Sequence, residues 1–172
     1  MGSYWGIGAG IAVLAFTAAG HAQEARPFHL EETTIQSVHQ AFAAGQLTCV
    51  QLTRAYLDRI EAYNLRGPAL RAVLTVNPRA LETAAEMDRA YAANPSGVGA
   101  LHCVPIVLKD NFNTSDMPTT AGNVSMKSSQ PKTDAFTVDK IRKAGALILG
   151  KTNLQEFARG GVSISSLGGQ VL

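Results

Sequence analysis

The chain has 172 residues, a length that suits one domain or a piece of one. Its first 23 residues carry no Asp, Glu, Lys or Arg, so all 15 basic and 13 acidic side chains lie in the remainder. Their density there, about 19%, together with 46% apolar residues overall, excludes an intrinsically disordered chain. A net charge of +2 with no basic stripe excludes an electrostatic nucleic-acid binder. Two cysteines, Cys49 and Cys103, are too few for a disulfide scaffold and form no zinc-binding pattern with histidine.

The first element is an apolar segment, Tyr4 to Gly20, centred on Ile11-Ala12-Val13-Leu14-Ala15-Phe16. Small residues follow in Ala19-Gly20-His21-Ala22-Gln23, where a signal peptidase cutting after Ala22 needs them. Residues 1–22 therefore read as a secretory signal peptide, although the only positive charge ahead of the apolar run is the terminal amine. The segment is Gly-rich and short for a membrane span of about 20 apolar residues. An uncleaved anchor and a misplaced start codon are the alternatives. The expectation is a secreted or periplasmic protein with no stable membrane span once the signal is removed.

Three helices are expected before residue 95. Thr33-Thr34-Ile35-Gln36 reads as a capping box, followed by Ile35, Val38 and Phe42 at helical spacing until Gly45. Thr48-Cys49-Val50-Gln51 is a second box, opening a helix with Cys49, Leu52, Tyr56, Leu57 and Ile60 on one face. Gly67-Pro68 breaks that helix, residues 71–76 read as a short strand, and Asn77-Pro78 caps a third helix ending near Ala93.

The second half changes character. Val104-Pro105-Ile106-Val107-Leu108 is an apolar run of strand length that stops at Lys109-Asp110-Asn111. A polar loop follows over residues 113–133, long enough to suggest function. Asp134 is expected to cap a helix with Val138 and Ile141 inward, ended by Gly145, and Ala146-Leu147-Ile148-Leu149 reads as a buried strand. Thr152-Asn153-Leu154-Gln155 reads as a third capping box, opening a short helix through Phe157. The order strand, helix, strand predicts a parallel crossover and an α/β fold.

One motif is refused. Gly145-Ala146-Leu147-Ile148-Leu149-Gly150-Lys151-Thr152 satisfies the phosphate-binding P-loop pattern letter for letter. A P-loop is a flexible turn after a strand, whereas this apolar centre wants to be the strand itself, and its backbone N–H groups would already be used in sheet pairing.

Lys109 admits two readings. A lysine just past a buried strand is ordinarily the first solvated residue beyond the core. Strand ends of α/β sheets are also where active sites form, and a lysine held there in low dielectric, its pKa lowered, can serve as a general base.

Gly99-Ala100-Leu101-His102-Cys103-Val104-Pro105-Ile106-Val107-Leu108-Lys109-Asp110-Asn111 resembles the block around the catalytic lysine of the amidase signature family, which reads G-x-L-H-G-[IV]-P-x-x-x-K-D-N. Met117-Pro118-Thr119-Thr120-Ala121-Gly122 resembles the family's next block, and Asp134-Ala135, Ala144 to Asn153 and Glu156-Phe157-Ala158 the one after. The Leu52, Tyr56, Leu57, Arg59, Ile60 helix also resembles an early family helix, so the likeness runs over about residues 30–170. Cys103 departs from it, standing where the family has Gly. The resemblance implies the amino-terminal part of the amidase-signature fold, a mixed sheet covered by helices on both faces.

It also implies an amidohydrolase acting on a small-molecule carboxylic amide through a Ser-cisSer-Lys triad, with no cofactor and no metal. A serine attacks the carbonyl, a second serine in a cis peptide relays its proton, and Lys109 accepts it. The Gly-Ser-Ser-Gly-Gly-Ser region that supplies both serines does not occur in the chain. Ser165-Ser166-Leu167-Gly168-Gly169 echoes it, but occupies the place of an earlier block, and Leu167 interrupts the glycine turn a nucleophile needs. The reading is thus residues 23–172 as the amino-terminal portion of an amidase domain, cut before the serine motif and inactive alone. The alternative is a non-catalytic remnant or binding module. Neither the particular amide nor the oligomeric state is legible.

Overall fold

The computed structural model describes residues 1–2 and 28–172, so the signal-peptide reading falls on a segment outside the described residues. In chain order the elements are α1 (Ile35–Ala43), α2 (Cys49–Tyr63), β1 (Val73–Val76), α3 (Ala80–Ala93), β2 (Pro105–Lys109), α4 (Phe136–Lys143), β3 (Leu147–Thr152), β4 (Ile164–Ser165) and β5 (Gly169–Gln170). Among the described residues no helix is long and apolar enough to cross a membrane.

The capping signals hold where their partners are local. Gln51 N–H donates to Thr48 Oγ1 at 3.1 Å and Thr48 N–H to Gln51 Oε1 at 2.9 Å, which closes the expected box of α2. In α1 the box sits one residue later than expected, on Thr34 and Ser37 (3.1 and 2.9 Å). Ile35 is consequently in the first turn and 47% exposed, the buried face being Val38, Ala41 and Phe42. The start of α2 receives a further carboxylate from α3: the N–H groups of Cys49 and Val50 donate to Asp88 at 2.6 and 3.0 Å, where the helix dipole favours negative charge.

Other expected boundaries move for identifiable reasons. The strand read from Arg71 begins at Val73, because Ala69 and Arg71 both have φ 53° and cannot be extended. Asn64 then seals the strand's first residue, donating to Val73 O and accepting from Val73 N–H, both at 2.8 Å. Asn77 makes an Asx turn with Arg79 N–H (2.9 Å) instead of capping α3, and its amide donates to Ile148 O at 2.8 Å. Asp134 is not the cap of α4 either. Ala135 is, with no side-chain bond, while Asp134 accepts from Ser115 N–H (2.7 Å) and Ser115 Oγ (3.0 Å) and pairs with Arg142 at 2.8 Å. Thr152 is the last residue of β3, so the third capping box does not form, and a single 3-10 turn, Glu156–Ala158, follows.

The three-stranded sheet has the order β1-β3-β2, with β1 antiparallel and β2 parallel to β3. The expected crossover is β2-α4-β3. Ile106 pairs with Ile148 and Val107 with Gly150, so β3 carries one more residue than β2 at Leu149. Gly150 is required here, since a Cβ would lie 2.3 Å from Thr75 O of β1. The refused P-loop is therefore β3 itself, preceded by Gly145 in the left-handed turn (φ 95°) that ends α4.

Side chains of β3 alternate between two cores. Leu147 and Leu149 pack with Val38, Phe42, Leu52, Ala80 and Ala84 of the first three helices. Ile148 packs with Leu108, Met117 and Val138 on the α4 side. Each such fully buried aliphatic side chain contributes about 1.5–3 kcal/mol relative to exposure. Both faces are thus covered by helices, as the sequence implies. The two cysteines, too few for a scaffold, are joined to each other in one cross-link between α2 and the turn before β2.

His102, in that turn, is 5% exposed and stacks on Tyr91 with centroids 5.5 Å apart, against the edge of Phe42. Burial pushes its pKa below the ordinary imidazole value, and the neighbouring His39 lowers it further, while Asp88 opposes both. The unfolded chain then binds more protons than the folded one between the lowered pKa and about 6.5, so stability falls as pH falls through that window. Urea unfolding at pH 7 and pH 5 should show a loss on acidification that shrinks in His102→Gln. An equal loss in both proteins would remove His102 from the account.

Candidate active site

Lys109 is the last residue of β2 and pairs in register with Thr152, the last residue of β3, so it stands at the carboxyl ends of two parallel strands. Its backbone is held firmly. Phe112 N–H donates to Lys109 O at 3.0 Å, and the next residue's N–H, that of Asp110, donates to Thr152 O at 3.1 Å. The side chain is exposed and has no ion-pair or hydrogen-bond partner among the described residues. The low-dielectric surroundings expected of a general base are therefore not supplied to Lys109 by the described residues.

They are given instead to Lys151, which sequence reasoning missed. Lys151 and Asp110 are both buried and form an ion pair at 3.1 Å. The ammonium also donates to Thr119 Oγ1 (2.9 Å) and Pro118 O (3.2 Å). Burial lowers the pKa of Lys151, and the Asp110 carboxylate works against that shift. Asp110 in turn accepts from Thr120 N–H at 3.1 Å and from the Thr120 hydroxyl, while Ala121 N–H donates to Asp110 O at 2.8 Å. The signal for this pair was a lysine continuing an apolar strand, whose charge needs a buried partner.

The network gives the long loop its shape. Met117, Thr114 and Thr120 are buried, and a turn at Val124–Met126 is capped by Asn123. Arg142 of α4 clamps Asp116 (2.7 Å) and Asp134 (2.8 Å), fastening both ends of the loop to one helix. The loop is folded down over the strand ends beside Lys109.

The two serines that echo a nucleophile motif are committed elsewhere. Ser165 is 4% exposed, donates to Asn153 Oδ1 (2.7 Å) and accepts from Gly168 N–H (2.9 Å). Ser166 donates to the Glu156 carboxylate and accepts from Val124 N–H at 3.0 Å. They lie in a small hairpin formed by β4 and β5, and neither is brought to Lys109 by a hydrogen bond. What the described residues present is an exposed amine at a hydrogen-bonded strand end, able to accept a proton when neutral.

Comparison with known proteins identifies the family. The sequence model of the family described as Amidase matches residues 51–172. The chain is 40% identical over 133 residues to a probable amidase of Arabidopsis thaliana, covering 76% of the chain and 25% of the relative. It is 38% identical over 130 residues to a putative amidase of Schizosaccharomyces pombe, covering 75% of the chain and 22% of that protein. The crystal structure of the peptide amidase from Stenotrophomonas maltophilia superposes with a TM-score of 0.77 at 44% identity, over 84% of this chain and 30% of that one. The chain thus spans about a quarter of the length of the curated relatives it matches. With its strand-end lysine, mixed sheet and matching blocks in the same order, it belongs to the amidase signature family.

Proposed function

We propose that this chain supplies the general base of an amidohydrolase that cleaves a small-molecule carboxylic amide through a Ser-cisSer-Lys triad. The supporting observation is Lys109 itself: a rigidly based amine at a strand end, free of any ion pair among the described residues, while the neighbouring Lys151 is consumed by Asp110. Neutral Lys109 takes a proton from the bridging serine, which takes one from the nucleophile as its oxygen adds to the amide carbonyl. The proton returns to the leaving amine, and water then releases the acyl group. Both serines come from a Gly-Ser-Ser-Gly-Gly-Ser segment that these 172 residues do not contain. We read the site as export-compatible: residues 1–22 direct secretion, and a disulfide is at home in an oxidising compartment.

Grafting tests the reading. Residues 28–172 replace the matching segment of the Stenotrophomonas maltophilia peptide amidase, and amide hydrolysis is followed by ammonia release. The graft should turn over, and the 172-residue chain alone should release no ammonia. A folded but inert graft, or activity of the lone chain abolished by Ser166→Ala, defeats the proposal.

A further inference from the structure

Cys103 has φ 54°, a left-handed conformation that an L side chain adopts at a cost and glycine adopts freely. The turn cannot relax away from it. Cys103 N–H donates to Gly145 O at 2.9 Å, Val104 N–H to Leu101 O at 2.9 Å, and Leu101 N–H to Ala144 O at 2.8 Å, tying residues 101–104 to the turn after α4. Cys49 lies in the first turn of α2, held by Asp88, and its Cα is 5.7 Å from that of Cys103. Both side chains are fully buried and the sulfurs are bonded across a sequence separation of 54.

We infer that the Cys49–Cys103 bond is a folding fastener acquired by thiol–disulfide exchange, and that it offsets the strain of a non-glycine residue in the turn leading into β2. The oxidant is a disulfide-bonded dithiol oxidoreductase. One cysteine thiolate attacks a sulfur of the oxidant's disulfide, giving a mixed disulfide and one oxidant thiolate. The second cysteine thiolate displaces the other oxidant sulfur. Two protein thiols become one S–S bond, and the oxidant leaves with the two electrons and two protons as a dithiol. Because both sulfurs are buried, exchange belongs to the unfolded or partly folded chain. The inference rests on no reading of Lys109.

The test refolds the full chain in a glutathione redox buffer and, separately, in excess reductant. Thiol titration and intact mass report the bond, and urea unfolding reports stability. The oxidised chain should show no titratable thiol after denaturation, and reduction should shift the unfolding equilibrium towards the unfolded state by up to about a thousandfold for a loop of this length. In reductant, Cys103→Gly should be about tenfold more favourably folded than Cys49→Ala, since only the glycine relieves the left-handed residue. Two titratable thiols in chain refolded oxidatively, or Cys49→Ala as stable as Cys103→Gly, overturns the inference. Should either variant not fold, the response of the unaltered chain to reductant decides, and an unchanged unfolding curve is the refuting result.

Discussion

Lys109→Ala in the grafted enzyme should lower kcat/KM by about 10⁴–10⁶, on the scale seen when one member of a serine triad is removed. Lys109 is exposed and makes no side-chain bond among the described residues, so the substitution leaves both cores intact and the unfolding midpoint of the 172-residue chain should not move. Lys109→Arg should be equally inactive, because a guanidinium stays protonated and accepts nothing. The arginine variant separates the roles: positive charge is kept and only the capacity to hold or release a proton is lost. Turnover of Lys109→Ala within tenfold of the parent would make the residue a solvated strand end and nothing more.

Asp110→Ala should destabilise the fold by about 3–5 kcal/mol, a large share of what a domain of this size has. The reason is the charge left behind. Lys151 is fully buried, and without Asp110 its ammonium keeps only Thr119 Oγ1 and Pro118 O. Removing both charges should cost less than removing one: Asp110→Asn with Lys151→Met retains a side-chain acceptor for Thr120 and fills the lysine's place with apolar volume. Urea unfolding of the single and double variants tests the ordering. A double variant less stable than Asp110→Ala would mean that the pair contributes net stability beyond avoiding an orphaned charge.

What was legible in the sequence divides by the reach of the interaction. Thr48 and Gln51 are three residues apart, and their box forms as read. The apolar runs of β2 and β3 and the helix between them dictate the parallel crossover, and the apolar centre of Gly145 to Thr152 correctly denies a phosphate loop. Asp134 was misjudged because its partners, Ser115 and Arg142, belong to a tertiary clamp that outcompetes a local cap. The same distance hid the Cys49–Cys103 link and the Lys151–Asp110 pair. Lys109 is singled out by the resemblance of the block around it, and its exposure could not be read from that block, since exposure depends on what packs beside the strand.

The additional residue in β3 decides which way a charge points. Ile148 shares a face with Leu108, and Leu149 turns to the opposite face, among the first three helices. Strict alternation would send Lys151 after Leu149, driving an ammonium into an aliphatic core. The register shift resets the parity, so Lys151 falls opposite Leu108 and reaches Pro118, Thr119 and Asp110 on the loop side. The strand is thus a two-part ruler with its zero moved halfway along. Straightened at its present length, with no register shift, the strand would exchange the destinations of an aliphatic and a cationic side chain. Register along this strand therefore answers to electrostatics as well as to packing.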